Sequence, residues 1–333
     1  MNTTARIATV CLDYHNSTSL EENRAVGMQL LDRALIQKPD LVCLPEAFTG
    51  VGTPRERIDQ VAESIPGPTT DAVSSRARAS RCYIICPIVT QREGKCWNSA
   101  VVIDRQGEIL GIYDKIHPVT SSSDYTVFEE GTQPGAQTPV FELDFGKIGI
   151  QICFDIQFPC GWASLAKQGA RVIFWPSAYN GGFPLQAYAW LHHVYVISAV
   201  QSQKARFINP CGEVVSETDS LMNIIFRDIN LDFGVCHYDF NYNIPEWIQE
   251  RYPGKVNLRT YADAGHLLIE PIDKEISLAQ LQEEFGFETV STYTQYHESA
   301  FTRLRAGLAA LPQKARHLDR PMYTKIGSPG SLK

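Results

Sequence analysis

Apolar residues in this chain come in short runs and never in long ones. The greasiest stretches, residues 83–89 and 194–200, have the length of buried strands, and nothing approaches the roughly 18 to 20 apolar residues that a membrane helix needs. Residues 7–12 read as a first strand. Residues 20–36 then place Leu20, Val26, Leu30, Leu31 and Leu35 on one helical face. A short apolar strand at 41–44 follows, and a helix at about 69–79 leads to a strand at 82–89. Strand patterns come next at 99–104, 109–113, 140–143 and 148–153. A helix at about 158–168 precedes a strand at 172–175, and another at about 185–193 precedes one at 194–200. β-structure resumes at 205–208 and 224–228 around a turn at 209–212.

Strands therefore come in adjacent pairs between helices, which fits neither a strict βα barrel nor a purely doubly wound sheet. The pattern predicts an α/β (α+β) fold in which two mixed β-sheets pack together, each covered by helices. Beyond residue 272 the character changes. Residues 278–284 and 296–308 read as polar-faced helices, and 325–333 are rich in Gly, Ser and Pro. This predicts a main domain over 1–272 and a partly helical C-terminal extension over 273–333, which either clasps a partner subunit or covers its own core.

Composition narrows the function classes. With 44% hydrophobic and 20% charged residues, and 23 Gly and 19 Pro scattered through 333 residues, disorder, collagen and coiled coil are disfavoured. The formal charge of -7, with no block of like charges, makes nucleic acid and anionic membrane poor partners. The apolar start at 8–12 is too short for a signal-peptide core. Nine cysteines, odd in number and mostly inside apolar runs, suit reduced core thiols, so a cytoplasmic protein is expected.

Three residues stand where chemistry gathers, at the ends of apolar strands. Glu46 follows the strand at 41–44 through Pro45; read alone it is a solvated loop glutamate. Lys115 follows the strand at 109–113 in Tyr-Asp-Lys-Ile-His-Pro; alone it is a snorkelling lysine. Cys153 ends Gly-Ile-Gln-Ile-Cys just before a helix, where helix N-terminal amides favour a thiolate; alone it is a core cysteine. Together they form an acyl-transfer set without histidine. A thiolate attacks an electrophilic carbon, a carboxylate moves the proton, and an ammonium holds the atom that becomes negative. Gly-x-Ser-x-Gly, Gly-x-x-x-x-Gly-Lys, Gly-x-Gly-x-x-Gly and His-Glu-x-x-His are all missing, and no cysteine pair has zinc spacing.

The series Leu-Val-Cys-Leu-Pro-Glu46, Tyr-Asp-Lys115-Ile-His-Pro and Gly-Ile-Gln-Ile-Cys153-Phe-Asp-Ile-Gln-Phe-Pro, with separations of 69 and 38 residues, resembles the nitrilase superfamily of carbon-nitrogen hydrolases. Trp175-Pro176-Ser177-Ala178 is similar to the family's next landmark. The resemblance implies a four-layer α-β-β-α sandwich, with Cys153 as nucleophile, Glu46 as general base and then acid, and Lys115 as stabiliser of the tetrahedral intermediate. It implies a thioester, release of ammonia or an amine, no cofactor or metal, and homodimers or larger homo-oligomers.

Two departures from the family pattern stand out. Counting seven back from Gly131, where many members carry a second glutamate, lands on Asp124, so Asp124 is expected to orient Lys115 or the substrate, with Glu129 or Glu130 as substitutes. The motif after the nucleophile usually ends Phe-Pro-Glu, and here Cys160 follows Pro159. Cys153-Phe-Asp is similar to the amidase and carbamoylase branches, whereas Thr126-Val-Phe-Glu-Glu-Gly is similar to the nitrilase version of that loop. The expectation is hydrolysis of a small carboxamide or N-carbamoyl compound; a nitrilase and a non-catalytic binding protein are the alternatives. Tyr125, Phe154 and Tyr179, with Phe183 and Trp190, are candidates to line the substrate pocket.

Overall fold

The computed structural model describes residues 3–13, 15, 17–53, 58–317 and 320. The Gly-, Ser- and Pro-rich end at 325–333 lies outside the described residues. Two compact units divide between Leu231 and Asp232.

The first unit holds two six-stranded sheets. One contains β1 (Thr4–Val10), β2 (Leu41–Cys43), β3 (Tyr83–Arg92), β4 (Lys95–Ile103), β5 (Ile109–Asp114) and β12 (Ile224–Asn230), in the order β12-β1-β2-β3-β4-β5. The other contains β6 (Phe141–Leu143), β7 (Gly146–Ile150), β8 (Val172–Ser177), β9 (Tyr195–Val200), β10 (Arg206–Ile208) and β11 (Val214–Glu217), in the order β11-β10-β9-β8-β7-β6. The central strands run parallel in both sheets, Ile7 beside Leu41 and Leu41 beside Tyr83 in one, Ile148 beside Val172 and Val172 beside Tyr195 in the other. The outer strands pair antiparallel. Parallel strands covered on both faces read as unbroken apolar runs, which is why β8 and β9 are buried along their whole length.

Helices α1 (Leu20–Leu35) and α2 (Pro68–Ser80) cover the first sheet, burying Met28, Leu31, Ala34, Val73 and Ala77 against Val42, Ile84 and Val101. Ser19 caps α1 by accepting from Glu22 N at 3.2 Å, and Glu21 and Glu22 suit the positive end of the helix. Helices α3 (Pro159–Lys167) and α4 (Phe183–His192) cover the second sheet through Trp162, Leu165, Leu185 and Ala189. The two sheets face one another: Thr9 Oγ1 on β1 donates to Ser198 O on β9 at 2.7 Å, deep in the unit. This is the expected α-β-β-α sandwich.

The second unit is a three-stranded antiparallel sheet, with β15 (His266–Pro271) between β13 (Gly234–His237) and β14 (Val256–Tyr261), joined by α5 (Ile244–Arg251), α6 (Leu278–Phe285) and α7 (Val290–Arg305). Ile244, Ile248, Leu267, Ile269, Leu278, Leu281 and Phe287 form its core. The division expected at 272/273 thus differs from the observed one. Leu278 and Leu281 of α6 complete a core begun at Cys236, so α6 belongs to the second unit and does not begin a separate extension. The sequence pattern concealed this because β14 is short and half exposed, and its alternation does not say which core it joins.

Candidate active site

Glu46, Lys115 and Cys153 meet at one end of the sandwich, beyond the carboxyl ends of the parallel strands, where open α/β sheets leave room for ligands. Glu46 sits just past β2. Its carbonyl accepts from Gln201 Nε2 at 2.7 Å, and Phe48 anchors the same loop under α1. Gly27 makes that possible, since a Cβ there would lie 2.3 Å from the Phe48 ring. Lys115 directly follows β5. Its amide donates to Asn98 O on β4 at 2.8 Å, and its own carbonyl accepts from Gly135 N at 2.8 Å.

Cys153 occupies a sharp elbow. The strand expected over 148–153 stops at Ile150, and Cys153 opens a short 3-10 turn, Cys153–Gln157, with φ of 44° in the left-handed region. A non-glycine residue is strained there and must be held by its surroundings. Buried Asp155 does much of this. Its carboxylate accepts from Ile152 N at 2.9 Å, Tyr113 OH at 2.7 Å and His117 N at 3.0 Å, and it pairs with His117 Nδ1 at 2.8 Å. Trp175 Nε1 donates to Cys153 O at 3.0 Å. His117 stacks on Phe158 with 3.7 Å between ring centroids.

Lys115 is 1% exposed, and its ammonium bridges Glu46 Oε1 at 2.9 Å and Glu129 Oε1 at 2.5 Å. Burial alone depresses a lysine, but the carboxylates of Glu46 and Glu129 outweigh it and hold the ammonium protonated well above its ordinary range. The Cys153 thiol is pushed up to about 12, first by burial and then by the Glu46 carboxylate, against the opposing pull of Lys115, the Ser177 hydroxyl and the Ala178 amide. The α-helix expected to favour a thiolate begins only at Pro159. The resting group is therefore a neutral thiol, and its proton has to leave as the sulfur attacks.

These groups line a cavity of about 240 Å³. One part of its wall is small and aliphatic, from Ala47, Gly50, Ile58, Val61, Val89 and Ala178. The charged side chains along it, among the described residues, are Glu46, Lys115, Glu129 and Glu130. Among the described residues no cluster of three or more His, Cys, Asp or Glu is placed to hold a metal ion, and no helix is long and apolar enough to cross a membrane.

Several expectations are corrected. Asp124 does not reach Lys115: it is exposed and turned onto its own loop, accepting from Thr126 N at 3.2 Å and Thr126 Oγ1 at 2.7 Å. Glu129 takes the place beside the lysine because the backbone turns left-handed at Glu129 and Glu130, with φ of 39° and 56°. Glu130 lines the cavity without touching Lys115 in any hydrogen bond or ion pair. Tyr125 and Phe154 line a neighbouring apolar cavity of about 360 Å³ that shares Val119 and Thr120 with the first. Tyr179 lies edge-on to Trp175 and within electrostatic reach of Cys153 and Glu46. Phe183 belongs instead to an apolar surface between α3 and α4, and Trp190 packs edge-on to His193.

Asn98, Asp155, Ser177 and Gln201 escaped prediction as site residues. A sequence signal exists for Asn98, a polar Asn-Ser pair at the head of the apolar run 100–103, but nothing in a single sequence says which strand its side chain faces.

A family model described as carbon-nitrogen hydrolase matches residues 6–233, ending beside the boundary between the two units. The chain is 30% identical over 240 residues to the deaminated glutathione amidase of Synechocystis sp., which covers 64% of this chain and 88% of that protein. It is 32% identical over 275 residues to the beta-ureidopropionase of Arabidopsis thaliana, covering 80% of this chain and 64% of that one. Among solved structures it is similar to Saccharomyces cerevisiae Nit3, described as a member of branch 10 of the nitrilase superfamily. The TM-score is 0.58 at 20% identity, over 76% of this chain and 95% of that chain.

Proposed function

The chain belongs to the carbon-nitrogen hydrolase family, and on that premise we propose that it hydrolyses small carboxamides through a thioester on Cys153. The observation that carries this reading is the convergence of Cys153, Glu46 and Lys115 on one cavity. As Cys153 Sγ bonds to the substrate carbonyl carbon, Glu46 takes the thiol proton and the Lys115 ammonium donates to the oxygen that becomes negative. The tetrahedral adduct collapses, the C–N bond breaks, and Glu46 returns the proton to the departing nitrogen. Water then attacks the thioester carbon, losing its proton to Glu46, and the acid and the free thiol are released.

The wall chemistry extends the reading to the acyl group. Aliphatic side chains of modest size accept a short uncharged acyl chain, whereas a carboxylate on that chain meets Glu46, Glu129 and Glu130 with, among the described residues, only Lys115, already engaged, to offset them. Ammonia release from propionamide and isobutyramide is expected to exceed that from succinamic acid by at least about tenfold in kcat/KM. Preference for succinamic acid would overturn this choice of acyl group. N-carbamoyl compounds and nitriles in the same assay test the other leaving groups.

A homo-oligomer and a reducing compartment belong to the same proposal. Phe183 and Leu191 stand 73% and 57% exposed on the apolar surface formed with Cys160, Ala163 and Ala187, a composition suited to burial against a second copy. All nine cysteines are free and eight are buried, as expected of a cytoplasmic protein. Light scattering on the wild type and on Phe183→Asp/Leu191→Asp tests the surface; a variant of unchanged mass would reject it.

A further inference from the structure

Asn98, within β4 and 5% exposed, is the neutral member of the cluster around Lys115. Its Nδ2 donates to Glu46 Oε1 at 2.8 Å and to Glu129 Oε2 at 3.0 Å. Lys115 Nζ donates to the same Glu46 oxygen and to the other oxygen of Glu129. Two carboxylates thus share one ammonium, and the two hydrogens of a single amide add a donor to each, beside the Val119 N–H that also reaches Glu129 Oε1 at 3.2 Å. Asn98 Oδ1 is buried with no hydrogen-bond partner. Buried acceptors are rarely left so. Turning the amide over would aim that oxygen at both carboxylates, so the orphaned acceptor is the consequence of serving them. Both donors to the Glu46 side chain converge on Oε1, which leaves Oε2 without a hydrogen bond among the described residues.

We propose that Asn98 is a positioning residue that divides the labour of Glu46: by holding Oε1 together with Lys115, it keeps Oε2 open for the thiol proton, and by holding Glu129 it stops the second carboxylate from drawing the ammonium away. The proposal rests on Glu46 acting as the base for Cys153. The titratable groups around the amide are Glu46, Glu129 and Lys115, with Glu130 and Cys153 on the same cavity.

The test compares wild type with Asn98→Leu and, should that variant fold poorly by circular dichroism, Asn98→Ser. For turnover of propionamide, kcat is expected to fall about 100-fold with KM changed less than about threefold. Asn98→Asp, a further buried carboxylate, is expected to lose more, and Asn98→Asp/Glu129→Gln, which restores the charge count, to recover part of the loss. In parallel, alkylation of Cys153 by chloroacetamide at pH 7 is followed by intact mass and is expected to slow at least about tenfold in Asn98→Leu. Equal alkylation rates in a folded variant, or a loss that falls on KM and not on kcat, overturn the proposal, as does a loss that merely tracks the folded fraction. A wild type that alkylates but cleaves no amide overturns the amidase reading alone, and the alkylation comparison still decides the role of Asn98.

Discussion

At the scale of single residues, the site sets a thiol that is hard to ionise and a carboxylate, the proposed base, on the wall of one cavity. With Cys153 pushed up to about 12 by burial and by Glu46, the thiol stays protonated throughout the neutral range. The thiolate absorbance of the free enzyme, taken as the difference between wild type and Cys153→Ala, is expected to stay absent through pH 10 and to appear only near 12, whereas an unperturbed thiol ionises near 8.5. A thiolate signal half-developed below pH 9 would contradict that environment. Glu46→Gln retains the shape of the side chain and removes its basicity, and about 10²- to 10⁴-fold is expected to be lost from kcat. Glu46, Lys115 and Cys153 were legible in the sequence because each is a reactive type at the end of an apolar run. Glu129 was legible only as an alternative to Asp124. Counting along the loop finds the shorter acid, but the left-handed turns at Glu129 and Glu130 decide which carboxylate faces the lysine, and a single sequence does not display them.

At the scale of elements, two joints place these residues. The first is the elbow after β7, where Asp155 replaces a helix cap by gathering four hydrogen bonds from Ile152, Tyr113 and His117. Asp155→Ala leaves those donors buried without an acceptor, and a loss of about 3 kcal/mol is expected in urea melts, together with loss of turnover. Unchanged stability would mean that the strained φ at Cys153 is held by other contacts. The second joint is the packing of α1 on the Glu46 loop. Alanine in place of Gly27 gains about 1 kcal/mol of helix propensity, but its Cβ would meet the Phe48 ring at 2.3 Å, and overpacking a core costs about 1–3 kcal/mol. The clash is expected to win, so Gly27→Ala should melt lower and turn over more slowly. Apolar period and length revealed nearly every strand of the two large sheets, whereas the stop of β7 at Ile150 depends on tertiary contacts to Asp155 that no local pattern announces.

At the scale of the whole molecule, every described catalytic candidate lies within the first unit, and the second has its own core. Deleting 273–333, the extension suggested by the sequence, removes Leu278, Leu281 and Phe287 from that core, each worth about 1.5–3 kcal/mol of burial. Limited proteolysis of this truncated chain is expected to cut within 232–272 while the span 4–230 stays resistant; resistance of both would show that the second unit does not need α6 and α7. β14 and β15 hid this unit because each is only six residues long and its own pattern does not say which core it joins. The account as a whole stands on one covalent event. Intact-protein mass spectrometry during turnover of propionamide, with peptide mapping of the product, is expected to show an added propionyl group on Cys153 that disappears as substrate is exhausted, and none on Cys153→Ala. Ammonia release at the wild-type rate from Cys153→Ala, or an acyl group on any other residue, would contradict it.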